Sequence, residues 1–173
     1  KQKFNNPDYY NQSITLRINF SIANMEALKK ILYILIAHHD SLRINYNTTT
    51  NKLFYNNKHL DEEMVIELFD LSTLSAHKYK DRMKQIRYQM HSAFRIDSSL
   101  LVKTCVIKNR EAVYFWILTF HHLVIDEVSI YILLNDINCL LEKMSKKQEL
   151  DLNSKTASYL EWSQFVNRQR HIV

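Results

Sequence analysis

Two short histidine clusters hold the side chains best suited to chemistry near neutral pH. One is His121-His122, with Asp126 four residues past the second histidine; the other is His38-His39-Asp40. An imidazole ordinarily titrates near pH 6.5, so a placed histidine serves as general acid or base. The first cluster lies between a dense apolar run, residues 113–120, and a run with helical spacing, residues 128–141. Asp126 followed by Ser129 is a helix N-cap pattern. That accounts for the acid, but not for two histidines just ahead of the helix start. In the second cluster the histidines close a helix, where a histidine interacts well with the last carbonyls and the dipole. That role is favoured there over direct catalysis. A metal site built from His38, His39, His121, His122 and Asp126 would need neighbouring histidines to turn the same way. Strands and helices both point them apart, so no metal is expected.

The positioning elements follow from periodicity. Residues 13–20 alternate, with Ile14, Leu16, Ile18 and Phe20 on one side, and read as a half-buried strand. Asn24 caps a helix whose apolar face is Met25, Leu28, Ile31, Leu32, Leu35 and Ile36. Residues 42–46 and 53–56 form a strand pair across a Thr-rich turn, and 64–68 is a further strand. Residues 76–94 are a polar helix with a narrow stripe of Tyr79, Met83, Ile86, Met90 and Phe94. Residues 101–107 and 113–120 are two more strands; the second is apolar on both faces and belongs in mid-sheet. Val128, Tyr131, Ile132, Leu134, Ile137, Leu140 and Leu141 mark an amphipathic helix, and a last short helix carries Tyr159, Trp162 and Phe165. The class is α/β, a mixed sheet covered by helices, without repeats or a domain boundary.

The chain has 173 residues and no glycine, and its one proline is Pro7. Turns are therefore expected at Asn and Asp, the residues other than glycine that best tolerate left-handed backbone. The net charge of +5 comes from basic residues dispersed among acids, with no basic strip interleaved with stacking aromatics. Nucleic acid is not an expected partner. No apolar run is long enough to span a bilayer and no signal peptide is evident. Cys105 and Cys139 lie far apart in unlike contexts, which argues against a disulfide framework and for a reducing, cytoplasmic setting.

His121-His122-Leu123-Val124-Ile125-Asp126 resembles the HHxxxD motif of the condensation superfamily of nonribosomal peptide synthetases, which includes condensation, cyclisation and epimerization domains. Upstream, the segment from His38 to Tyr46 looks like that superfamily's (R/H)H(E/D)xLRxxF motif, and the segments from Phe69 to Ser72 and Phe94 to Asp97 match lesser landmarks. Two details resemble the epimerization branch: Val128-Ser129 with the Ile132 to Ile137 stretch, and the later Lys155-Thr156-Ala157-Ser158-Tyr159-Leu160-Glu161-Trp162.

The resemblance implies one chloramphenicol-acetyltransferase-like half, with residues 1–173 as the N-terminal subdomain and no counterpart of the C-terminal one. It implies an epimerase that interconverts L and D forms of a carrier-bound aminoacyl or peptidyl thioester. The substrate would arrive on the phosphopantetheine arm of a peptidyl carrier protein, with no cofactor bound to the domain itself. The partners would be that carrier, the C-terminal half and other synthetase modules of secondary metabolite biosynthesis. His122 would be the acid/base, paired in the family with a glutamate of the other half. His121 and Ser129 would be supporting, and Asp126 would form a structural salt bridge with Arg43. The same resemblance leaves room for a condensation domain forming the peptide bond, or a non-catalytic carrier-binding remnant. Glu127 stands where the family has glycine, Ile130 where it has tryptophan and Tyr131 where it has arginine. A charge at Glu127, if near the tunnel, would favour protonated His122 and weaken it as a base.

Overall fold

The computed structural model describes Asp8, residues 10–92, residues 94–155 and residues 158–169. The elements run β1 (Asn11–Ile18), α1 (Met25–His38), a 3-10 turn (Asp40–Arg43), β2 (Ile44–Asn47), β3 (Lys52–Tyr55) and a second 3-10 turn (Asn57–Leu60). They continue with β4 (Glu67–Asp70), α2 (Ala76–Ser92), β5 (Val102–Lys108), β6 (Tyr114–His121), α3 (Glu127–Ser145) and α4 (Tyr159–Gln169). Four strands make one sheet in the order β1-β6-β5-β4. The β1–β6 and β5–β6 pairs are antiparallel and β4–β5 is parallel, so the sheet is mixed. The run apolar on both faces, β6, lies inside this sheet as expected; β2 and β3 form a separate antiparallel pair.

Side chains alternate across the sheet, so each face carries its own core. Trp116, Leu118 and Phe120 of β6, with Val102 and Val106 of β5, face Leu28, Ile31, Leu35 and Ile36 of α1 and Leu133, Ile137 and Leu140 of α3. Cys105 and Ile107 of β5 point the other way and pack with Leu71, Ile86 and Met90 beside α2. Truncating one of the fully buried leucines or isoleucines of the larger core would cost about 2–5 kcal/mol. Asn24 caps α1 as expected, its side chain accepting from the Ala27 N–H at 3.0 Å.

Several boundaries differ from the periodicity reading. The first strand ends at Ile18 because the Asn19 carbonyl takes the N–H groups of Ile22 and Ala23 and turns the chain. Met64 and Ile66 are buried, yet pairing with β5 begins only at Glu67, so the expected 64–68 strand is shifted. Residues 40–43 coil before β2 instead of extending, since Arg43 reaches back to the end of α1. Phe94 leaves the α2 stripe and joins the larger core. The left-handed positions among the described residues are Asn51, Ala112 and Lys147. At the β5–β6 turn, Asn109 contributes its side chain instead, accepting from Glu111 and Val113, while Ala112 carries the positive φ.

Candidate active site

His121 is the last residue of β6 and His122 opens the turn that follows it. His121 is buried: its Nδ1 accepts the Leu123 N–H at 3.0 Å, and its ring meets the Phe94 ring edge-on. Its backbone N–H donates to the Leu101 carbonyl and its own carbonyl accepts from Val124. His121 thus shapes the turn that presents its neighbour.

The His122 ring is held on three sides. Its Nδ1 lies 2.7 Å from the Ile125 carbonyl oxygen, its Nε2 lies 3.2 Å from the Gln12 amide nitrogen, and the Tyr10 ring stacks on it at 4.8 Å and 8°. A carbonyl only accepts, so Nδ1 carries the hydrogen; the amide nitrogen only donates, so Nε2 keeps its lone pair. A neutral imidazole with its lone pair on a fixed, half-buried nitrogen is a general base in its working form. The holding residues come from β1 and the segment before it, because Asn11 pairs with His121 and the Tyr10 carbonyl accepts the His122 N–H.

Asp126 caps α3, accepting the Ser129 N–H at 2.8 Å and the Ser129 hydroxyl at 2.6 Å. The hydroxyl and backbone bonds from Ser129 hold its carboxyl below the usual value, with a smaller contribution from His122. Glu127 opens the first turn of α3 and is exposed.

The expected ion pair between Asp126 and Arg43 is not formed. Arg43 is buried and donates to Asp40 at 2.5 Å, to Asn57 at 3.0 Å, to the Ala37 carbonyl at 3.1 Å and to the Ile36 carbonyl. With carbonyls freed at the end of α1 and a carboxylate three residues back, the guanidinium is satisfied locally. Asp126 spends its oxygen on the helix cap. Arg43 is therefore a clamp on the α1 terminus. Lys155 joins it, donating to Asp40 at 2.9 Å and to the Ala37 carbonyl at 3.0 Å. Burial works against the Asp40 carboxylate, but Lys155 and Arg43 outweigh it and keep its pKa low.

His39 takes a partner from a different element. Its Nε2 lies 2.7 Å from Asp136 of α3, and His38 meets it edge-on. Burial lowers the His39 pKa, only partly countered by Asp136. Among the described residues, no three His, Cys, Asp or Glu side chains are grouped closely enough to hold a metal ion. Sequence reasoning missed Gln12 and Tyr10. Gln12 falls just outside the 13–20 run, and its one available signal was the two-residue alternation extended backward.

Known proteins share both sequence and fold with this chain. The family model described as Condensation domain matches residues 1–172. The chain belongs to the condensation domain family. It is 29% identical to Chondramide synthase cmdD of Chondromyces crocatus over 161 residues, covering 91% of this chain and 4% of that protein. It is 28% identical to a linear gramicidin synthase of Brevibacillus parabrevis, covering 96% of this chain and 3% of that protein. Among solved structures, the epimerization domain from the third module of tyrocidine synthetase B matches with a TM-score of 0.79 at 22% identity, over 94% of this chain and 36% of that one. A mutant form of the starter condensation domain of the rhizomide synthetase matches with a TM-score of 0.72 at 13% identity, over 96% and 40%. The mixed sheet flanked by helices is thus the chloramphenicol-acetyltransferase-like fold expected from the motifs. The condensation-family chain spans a small fraction of its synthase relatives and little more than a third of these structures.

Proposed function

We propose that this condensation-family chain is the N-terminal half of an epimerization-type domain, in which His122 moves the α-proton of a carrier-bound aminoacyl or peptidyl thioester. The observation that carries the reading is the lone pair on His122 Nε2, aimed by the Ile125 carbonyl on the far side of the ring and met by nothing stronger than the 3.2 Å Gln12 amide. In the forward step the Nε2 lone pair takes the proton from Cα. The C–H electron pair moves into the thioester carbonyl, giving an enolate. Collapse of that enolate with a proton delivered to the opposite face gives the other enantiomer. The resemblance assigns that second proton to a glutamate of the other half. The thioester arrives on the phosphopantetheine arm of a carrier domain, so the substrate needs a channel beside His122. Val128, Tyr131 and Ile132 of α3 stand exposed next to the His122 loop, an apolar face suited to a covering half. Arg43 and Asp126 support the two helix ends, His121 and Ser129 the turn, and Glu127 modulates the charge near His122.

A second reading, peptide-bond formation between donor and acceptor carriers, is favoured by the family description itself. The experiment that separates them supplies the second half by fusion and offers an L-aminoacyl carrier protein in deuterated water. Deuterium at Cα and racemised product support epimerization. Product that appears only with an acceptor carrier, without deuterium at Cα, supports condensation and overturns the leading reading.

A further inference from the structure

Gln12 carries an imbalance that the acid/base reading of His122 does not use. Its amide nitrogen sits 3.2 Å from His122 Nε2, while its Oε1 is buried with no hydrogen-bond partner among the described residues. A buried carboxamide oxygen left unpaired costs about 1–3 kcal/mol. A half-turn of the carboxamide exchanges oxygen and nitrogen with almost no change of shape. In that second orientation Oε1 faces Nε2, and it can be satisfied only if Nε2 carries a hydrogen. Because Nδ1 stays on the Ile125 carbonyl, a hydrogen on Nε2 means an imidazolium.

We infer that Gln12 is a two-state positioning residue for His122, donating to Nε2 when the ring is neutral and accepting from Nε2–H once the ring has taken a proton. The 3.2 Å contact is at the long end for an N–H donor. A substrate C–H brought against Nε2 therefore displaces it at little cost. After transfer the proton lies on Nε2 and the turned amide accepts it, so neither state of the base leaves its nitrogen unpartnered. The outer end of the carboxamide is unpaired in either orientation, so the protonation of Nε2 alone decides between them. The other titratable groups around the ring are the Tyr10 phenol stacked on it, His121 beside it in β6 and Asp126 at the start of α3. Gln12 is uncharged and anchored in β1 opposite Phe120, which fixes its distance from the ring without adding a charge.

This inference rests on the acid/base reading, and its test is chosen to need no substrate. Nitrogen NMR of the His122 ring is recorded on the whole chain, as wild type, Gln12→Glu and Gln12→Met. At mildly alkaline pH the wild-type Nε2 is expected in the unprotonated range. In Gln12→Glu it is expected in the protonated range, because a carboxylate only accepts. In the acid form, Nε2–H of Gln12→Met, which keeps the volume but offers neither donor nor acceptor, is expected to exchange with water about tenfold faster than wild type. An unprotonated Nε2 in the folded Gln12→Glu chain, or unchanged exchange in Gln12→Met, each overturns the inference. Matching backbone amide spectra away from residue 12 certify that folded chains are compared. Cα deuterium exchange that survives His122→Gln would instead overturn the acid/base reading and leave the amide coupling standing.

Discussion

The chain carries two adjacent histidine pairs followed by an aspartate, and the fold gives them opposite electrostatic settings. At the end of α1, His39 faces a carboxylate, Asp136, across 2.7 Å, and Arg43 and Lys155 close on Asp40 beside it. At the end of β6, His122 faces a carbonyl and an amide, both uncharged. A carboxylate partner consumes the imidazole as half of a tie between two helices. Neutral partners orient the ring, and the one on its lone pair is a 3.2 Å amide contact that a substrate can displace. The residue types are nearly the same; the partners decide which pair holds structure together and which can exchange a proton.

The largest break in this comparison comes from exchanging each histidine for glutamine. With the second half supplied, His122→Gln is expected to lower Cα deuterium exchange roughly a hundredfold to ten-thousandfold. His39→Gln should stay within about tenfold of wild type in the same assay, since it loses one tie to Asp136 and no partner of the His122 ring. Next in size is the clamp. Arg43→Ala leaves Asp40 and the Ala37 carbonyl with Lys155 alone and removes the donor to the Ile36 carbonyl, and urea denaturation should register a loss of about 1–3 kcal/mol.

A pH effect sharpens the contrast further. Burial sets the folded pKa of His39, and of His91, below the 6.5 of the unfolded chain. The unfolded chain therefore binds more protons as the pH falls below that value, and stability drops there. Thermal unfolding should show a falling midpoint from roughly pH 7 to about pH 5, with a shallower fall in His39→Gln. Asp126→Ala removes a cap and should cost about 1 kcal/mol. A double-mutant cycle of Asp126→Ala with Arg43→Ala should show coupling within about 0.5 kcal/mol of zero, because the two do not share a partner.

The motif spacing located the loop from His121 to Asp126 and its helix, because an N-cap, a histidine pair and an amphipathic run are all local patterns. The alternation of Ile14, Leu16 and Ile18 likewise placed a strand, and continuous apolar composition placed β6 within the sheet. Pairing across the fold was not legible. Arg43 chose Asp40, three residues away, over Asp126 because its own helix end offered carbonyls as well as the acid. Asp136, which the motif placed on the helix without a role, is the partner of His39. Gln12 became visible only when β1 was registered against β6, since nothing local distinguishes a strand glutamine that faces solvent from one that faces the His122 ring. The last helix shows the reverse: Ser158 and Glu161 form a reciprocal capping box within four residues of sequence, and local chemistry alone accounts for it.

The β1–β6 pairing also has a kinetic meaning. Gln12 and His122 are 110 positions apart, and Tyr10 joins from the same end of the chain. The β5–β6 hairpin and α3 are built from neighbours, so they can form before the first strand arrives. Closing a loop of that length is the slow, entropically opposed event in such a topology. The imidazole thus acquires its stacking ring and its amide only when the amino-terminal strand zips on. The histidine motif is complete in the local sequence, while the surroundings that orient its second ring are supplied from the other end of the chain.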